Sequence, residues 1–128
     1  MEGWRTEWRF SFSIESMAEF AKLSGDYNPI HADVEFAKRK GFDAPLVYGM
    51  LVSSQMSRLV GQELPDNNAI LTGVKMDFLE PCFPGESLVF AAELVNKSDS
   101  TLALDFKCRV LRGEKLLCRG TVSAVWMP

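Results

Sequence analysis

Apolar and polar positions change period three times along the chain. Between residues 4 and 12 they alternate, with Trp4, Thr6, Trp8, Phe10 and Phe12 on one side, which predicts a half-buried strand covering a sheet edge. Helical spacing follows. Met17, Phe20, Ala21 and Leu23 predict a short helix opened by Ser13-Ile14-Glu15-Ser16 and ended by the turn Ser24-Gly25. Asp33 can cap a second short helix with Phe36 and Ala37 on its inner face, Lys38-Arg39-Lys40 matching the dipole at its end, and Gly41 stopping it. After the link Phe42-Asp43-Ala44-Pro45, residues 46–64 are apolar on nearly every side. Leu51, Val52, Met56, Leu59 and Val60 stand at helical offsets, and only Arg58 is charged before Glu63, so this stretch predicts a long buried helix ended by Pro65-Asp66-Asn67-Asn68. The remainder is strand-like at residues 69–79, 87–95, 102–111 and 115–126. Turn signals at 81–85, 96–100 and 112–114 make these strands antiparallel neighbours.

One buried helix followed by a run of antiparallel strands predicts an α+β fold, a single domain over residues 1–128 whose sheet curls around that helix. Such a sheet leaves its other face partly apolar and an edge unpaired, and a second copy would cover both, so a homodimer is expected. With 128 residues, 47% apolar and 24% charged, the chain is long enough to bury one core. A net charge of -3, with no like-charge run beyond Lys38-Arg39-Lys40, argues against a nucleic-acid partner. No window approaches the roughly 18 apolar residues of a membrane span. The first twelve residues scatter charges where a signal peptide would have an apolar segment, so a cytoplasmic protein is expected. Cys82, Cys108 and Cys118 are odd in number, lie in apolar surroundings and lack CxxC spacing, which reads as buried free thiols, with neither disulfides nor zinc. The chain has no GxGxxG, no P-loop and no metal-ligand spacing.

Within residues 20–37, FAKLSGDYNPIHADVEFA, Asp26, Asn28 and His31 lie in an irregular link between the two short helices, where side chains can point at a ligand. Asp26 and His31, the only histidine in the protein, stand on either side of an Asn28-Pro29 turn whose fixed φ brings them near one another. A carboxylate beside an imidazole is an acid–base pair in waiting. A turn aspartate and a structural histidine are the competing reading. Ser53, Ser54 and Ser57 interrupt the long helix, and hydroxyls there usually bond back to a carbonyl one turn earlier. With no second histidine for a triad and no G-x-S-x-G elbow, serine-hydrolase chemistry has no support.

The run F-x-x-L-S-G-D-x-N-P-I-H-x(5)-A over residues 20–37 resembles the signature of the MaoC-like, R-specific enoyl-CoA hydratase ("hydratase 2") family, and the order of elements agrees over most of the chain. The resemblance implies a hot-dog fold with the motif on an overhanging helical segment. It implies (3R)-specific addition of water to trans-2-enoyl thioesters, or its removal from (3R)-hydroxyacyl thioesters, with Asp26 and His31 catalytic on one water. By the same resemblance Gly49, near the start of the buried helix, donates to the thioester oxygen, tight helix-to-sheet packing being the alternative for that glycine. Asn28 orients the pair, and Ser57, Tyr27, Leu51 and Val60 are the candidates to bind substrate, core packing being the default for Leu51 and Val60. No cofactor is implied beyond the coenzyme A or acyl carrier protein that carries the acyl group. Lys38-Arg39-Lys40 would meet nucleotide phosphates or an acidic carrier protein, against a plainly solvated role. The sequence departs from the family at Tyr48-Gly49-Met50, where a histidine often precedes the glycine. Two other readings compete: a hot-dog acyl-thioesterase, although residues 46–62 hold none of the carboxylates such enzymes place there, and a non-catalytic acyl-thioester-binding partner subunit, which would be expected to lack the pair.

Overall fold

In the computed structural model, which describes residues 2–128, the chain runs β1 (Arg5–Phe10), α1 (Ile14–Ser24), α2 (Val34–Arg39), α3 (Gly49–Arg58), β2 (Ala69–Phe78), β3 (Leu88–Lys97), β4 (Ala103–Arg112) and β5 (Lys115–Trp126). Short 3-10 turns at Pro29–His31 and Pro65–Asn67 and a π turn at Leu59–Glu63 complete it. The strands form one antiparallel sheet in the order β1-β3-β4-β5-β2. Helix α3 and its π extension bury Val52, Met56, Leu59 and Val60 against Phe90, Phe106, Val110, Leu117 and Val122 of the sheet. This is the predicted curled sheet around one apolar helix.

Edge strand β1 is tied to that helix through one side chain. Trp8 stacks on Phe90 (ring centroids 4.8 Å, 23°) and donates its indole N–H to Gln55 Oε1 at 2.8 Å, while the Arg58 guanidinium lies 4.6 Å over its ring. The alternation at the start of the chain therefore marks a strand that closes the core.

The long helix is shorter than its apolar pattern. Regular α-helix begins at Gly49, because the backbone of the preceding residues is engaged elsewhere. Leu46 N–H donates to Ile30 C=O at 3.0 Å and Val47 N–H to Cys82 C=O at 2.9 Å. At the far end the helix widens into the π turn, with Leu64 N–H reaching Leu59 C=O at 3.2 Å. Hydrophobic spacing registers burial and is blind to these hydrogen bonds. All three cysteines are free and buried, as their apolar surroundings predicted.

One glycine of the sheet has a steric reason. Gly120 pairs with Met76 on β2 and Cys108 on β4, and the Lys75 carbonyl approaches so closely that a Cβ at 120 would collide with backbone. Gly120→Ala is expected to lower stability by about 3 kcal/mol, the upper end of overpacking costs, and the melting midpoint by on the order of 10 °C. Gly61→Ala, where a Cβ meets nothing within 4 Å, is the control expected to leave the midpoint nearly unchanged in thermal denaturation.

Candidate active site

The motif is shaped by side chains bonding to their own backbone. Gly25 ends α1 in the left-handed region (φ 79°), and Ser24 Oγ donates to Phe20 C=O at 2.7 Å while accepting from Asp26 N–H at 3.1 Å. Asp26 Oδ1 accepts from Asn28 N–H and Asn28 Oδ1 from Ile30 N–H, each at 3.0 Å. Two Asx turns in series thus lead into the 3-10 turn that Pro29 opens. Asp33 then caps α2 by accepting from Glu35 and Phe36 N–H. Asn28 thus caps the 3-10 turn by holding the Ile30 amide.

His31 is fixed from outside the motif. Its Nδ1–H donates to Leu46 C=O at 2.9 Å, so Nε2 is left facing Asp26 Oδ2 at 4.0 Å. The imidazole is largely covered (15% exposed) and the carboxylate is half open (49%), so the pair faces space from a held base. Tyr48 stacks on the imidazole (3.9 Å, 23°), donates its hydroxyl to Asp26 C=O at 2.7 Å, and packs against Phe20 at 4.8 Å. Burial, then the charge of Asp26 and the neighbouring Tyr27, hold the Tyr48 phenol above its ordinary pKa, so it stays a hydrogen-bond donor. Nothing in the spacing of the motif points to Tyr48. The signal available was its departure from the His-Gly-Met pattern.

Gly49 is the first residue of α3. The Leu51 and Val52 amides both donate to Tyr48 C=O at 3.1 Å, and the Gly49 amide has no backbone acceptor among the described residues. It lies at the positive end of the helix dipole. The Phe78 ring also presses on it, since a Cβ there would lie 3.0 Å from Phe78 Cζ. A free amide and tight packing coexist at this one residue.

Three cavities adjoin His31. One of about 360 Å³ is walled by Phe20, Asp26, Tyr48, Gly49, Met50 and Phe78. A second, about 300 Å³, includes Gly49, Leu46, Phe78, Cys82 and Cys118. A third of about 430 Å³ is apolar, between α1 and the Phe83-Pro84 turn. Burial pushes the Cys82 thiol up to about 11 and Cys118 to about 12, so neither presents a thiolate at neutral pH. The 81–86 turn is held by Arg112, whose Nη1 donates to Glu86 at 3.1 Å and to Pro81 C=O at 3.3 Å.

The four residues expected to bind substrate lie outside these three cavities. Tyr27 is 69% exposed beside Asp26, Leu51 packs against the core, Val60 is buried in it, and Ser57 is exposed. Arg39 and Lys40 fold over the Phe36 ring at 5.6 and 5.3 Å. Among the described residues no group of three or more His, Cys, Asp or Glu is placed to hold a metal ion, and no helix is long and apolar enough to cross a membrane.

A family model described as "MaoC like domain" matches residues 3–111. The (R)-specific enoyl-CoA hydratase of Aeromonas caviae is 40% identical over 83 residues, which is 65% of this chain but only 62% of that enzyme's length. The mitochondrial 3-hydroxyacyl-[acyl-carrier-protein] dehydratase of Arabidopsis thaliana is 29% identical over 118 residues, 89% of this chain and 70% of its own. Among solved structures, the (R)-hydratase from A. caviae involved in PHA biosynthesis superposes with a TM-score of 0.91 at 31% identity, covering 98% of this chain and 96% of that one. The curled sheet on its central helix is the hot-dog arrangement that the motif implied.

Proposed function

The chain belongs to the MaoC-like domain family, and we propose that it is a (3R)-specific hydratase/dehydratase, adding water to trans-2-enoyl thioesters or removing it from (3R)-hydroxyacyl thioesters. The observation that carries this reading is the 4.0 Å gap between Asp26 Oδ2 and His31 Nε2, opening onto a cavity shared with Gly49. That gap is too long for a direct hydrogen bond, whereas two bonds of about 2.8 Å meeting at one water oxygen span about 4 to 4.5 Å. A water held there is aimed by both groups.

Hydration needs three things: a proton taken from the water as its oxygen attacks the β-carbon, a proton given to the α-carbon, and a donor for the thioester oxygen as it gains negative charge. A pair holding one proton between its two members supplies the first two. One member accepts the proton of the attacking water while the other releases its own to the α-carbon, so the pair ends with the same proton count it began with. Dehydration runs the same steps backwards. The Gly49 amide at the start of α3 is the donor for the thioester oxygen, where the helix dipole favours the developing charge. The relatives named above act on coenzyme A and on acyl-carrier-protein thioesters, and either carrier suits this reading.

The working form is a homodimer in this proposal. Edge strand β2 exposes Ile70, Leu71, Val74 and Phe78, an apolar strip on an open sheet edge that a second copy would cover. Sedimentation velocity is expected to give twice the chain mass, and a particle of one chain mass at micromolar concentration would remove the dimer.

The catalytic assignment is tested by the loss of enoyl absorbance with crotonyl-CoA and longer enoyl thioesters. Asp26→Asn and His31→Ala are each expected to lower turnover by at least roughly two orders of magnitude, with melting midpoints close to the parent. Variants that turn over at parental rates would sink the assignment.

A further inference from the structure

The Tyr48 side chain touches both members of the Asp26–His31 pair. Its ring lies flat on the imidazole at 3.9 Å and its hydroxyl donates to the backbone carbonyl of Asp26 at 2.7 Å. Its own peptide carbonyl collects the Leu51 and Val52 amides at the start of α3, directly before Gly49. We propose that Tyr48 is the positioning residue of this site, transmitting the rigidity of the buried helix to the exposed motif turn and thereby setting the spacing between carboxylate and imidazole.

Each partner lacks a restraint that Tyr48 provides. The single anchor at Nδ1 leaves the His31 ring free to swing about that hydrogen bond, and a flat ring against its face removes the swing. Asp26 has its amide and its Oδ1 tied to Ser24 and Asn28, each two residues away along the chain, so those bonds shape the turn without locating it on the scaffold. The Tyr48 hydroxyl is the bond that joins the Asp26 backbone to the scaffold. Tyr48 can do this because it is itself immobile: it is 4% exposed, its ring is held between Phe20 and His31, and its backbone caps α3. Reacting groups must be held to within a fraction of an ångström for proton transfer, so loosening the pair lowers turnover more than binding.

The kinetic part of this inference rests on the hydratase reading, and the spectroscopic part does not. His31 is the only histidine in the protein, so its imidazole C–H signals are identified in a proton–carbon spectrum without further variants. In the parent those signals should be displaced upfield by the ring current of Tyr48. Tyr48→Phe keeps the ring and removes the hydroxyl: the expected result is unmoved His31 signals, several-fold faster hydrogen exchange at the Asn28 amide, and kcat with crotonyl-CoA about tenfold lower while KM stays within about twofold. Tyr48→Leu removes the ring: His31 signals should move downfield and kcat should fall about a hundredfold. If Tyr48→Leu does not fold, Tyr48→Phe decides alone. Parental kcat and parental Asn28 exchange in Tyr48→Phe, or a loss confined to KM, would overturn the proposal, as would unmoved His31 signals in a folded Tyr48→Leu. A parent without turnover whose Tyr48 variants still show these exchange and shift changes would overturn the hydratase reading and leave the positioning role standing.

Discussion

The hydrogen bond from His31 Nδ1 to the Leu46 carbonyl at 2.9 Å fastens the motif to the scaffold, and the chemistry of the site follows from it. A backbone carbonyl only accepts, so it assigns the proton to Nδ1 and turns Nε2 toward Asp26 and the cavity. The amide of the same residue donates to Ile30 C=O, so the backbone before the histidine and its side chain both hang from Leu46. Had the helix begun at Leu46, as its apolar pattern suggests, that carbonyl would have been drawn into the helical ladder and the imidazole would have lost its anchor. Breaking the helix back to Gly49 does two jobs: it frees the Leu46 peptide for the motif and places the Gly49 amide at a helix start.

The site is thus assembled from pieces of unequal rigidity. Helix α3 and the sheet provide a close-packed base in which Phe90, Phe106, Leu59 and Val110 are fully buried. The motif lies above it on largely exposed backbone, organised internally by the Ser24, Asp26 and Asn28 side chains. The hydrogen bonds crossing between the two are His31 to Leu46, Ile30 to Leu46, and Tyr48 to Asp26, beside the packing of the Tyr48 ring on His31 and Phe20. An exposed carboxylate kept near a covered imidazole by so few bonds relies on each of them, which is why a phenol outside the recognised motif carries weight.

The fold was legible because burial and period are encoded residue by residue. The alternation around Trp8, the helix opened at Ser13-Ile14-Glu15-Ser16, the cap Asp33, Gly25 ending α1, and the strand pattern after Asn68 all correspond to observed elements, since each depends on local geometry or on facing one core. The Asp26–His31 pairing was legible as well, because the turn that joins them is written in consecutive residues. What escaped the sequence was tertiary. Leu46 as an anchor, Tyr48 as a stacking and bonding partner, the Phe78 ring on Gly49 and the Lys75 carbonyl against Gly120 all join segments distant in the chain, and no spacing rule registers them. Leu51 and Val60, apolar residues at the helical offsets of a buried helix, pack the core as that spacing predicts.

The central claim is that one oxygen sits between Asp26 and His31 while the thioester carbonyl meets the start of α3. A crystal structure of the protein with a bound (3R)-hydroxyacyl thioester tests it most directly. The account predicts the 3-hydroxyl within hydrogen-bond distance of both Asp26 Oδ2 and His31 Nε2, and the thioester oxygen on the Gly49 amide. A ligand whose hydroxyl touches neither side chain, or whose carbonyl points away from Gly49, would contradict it.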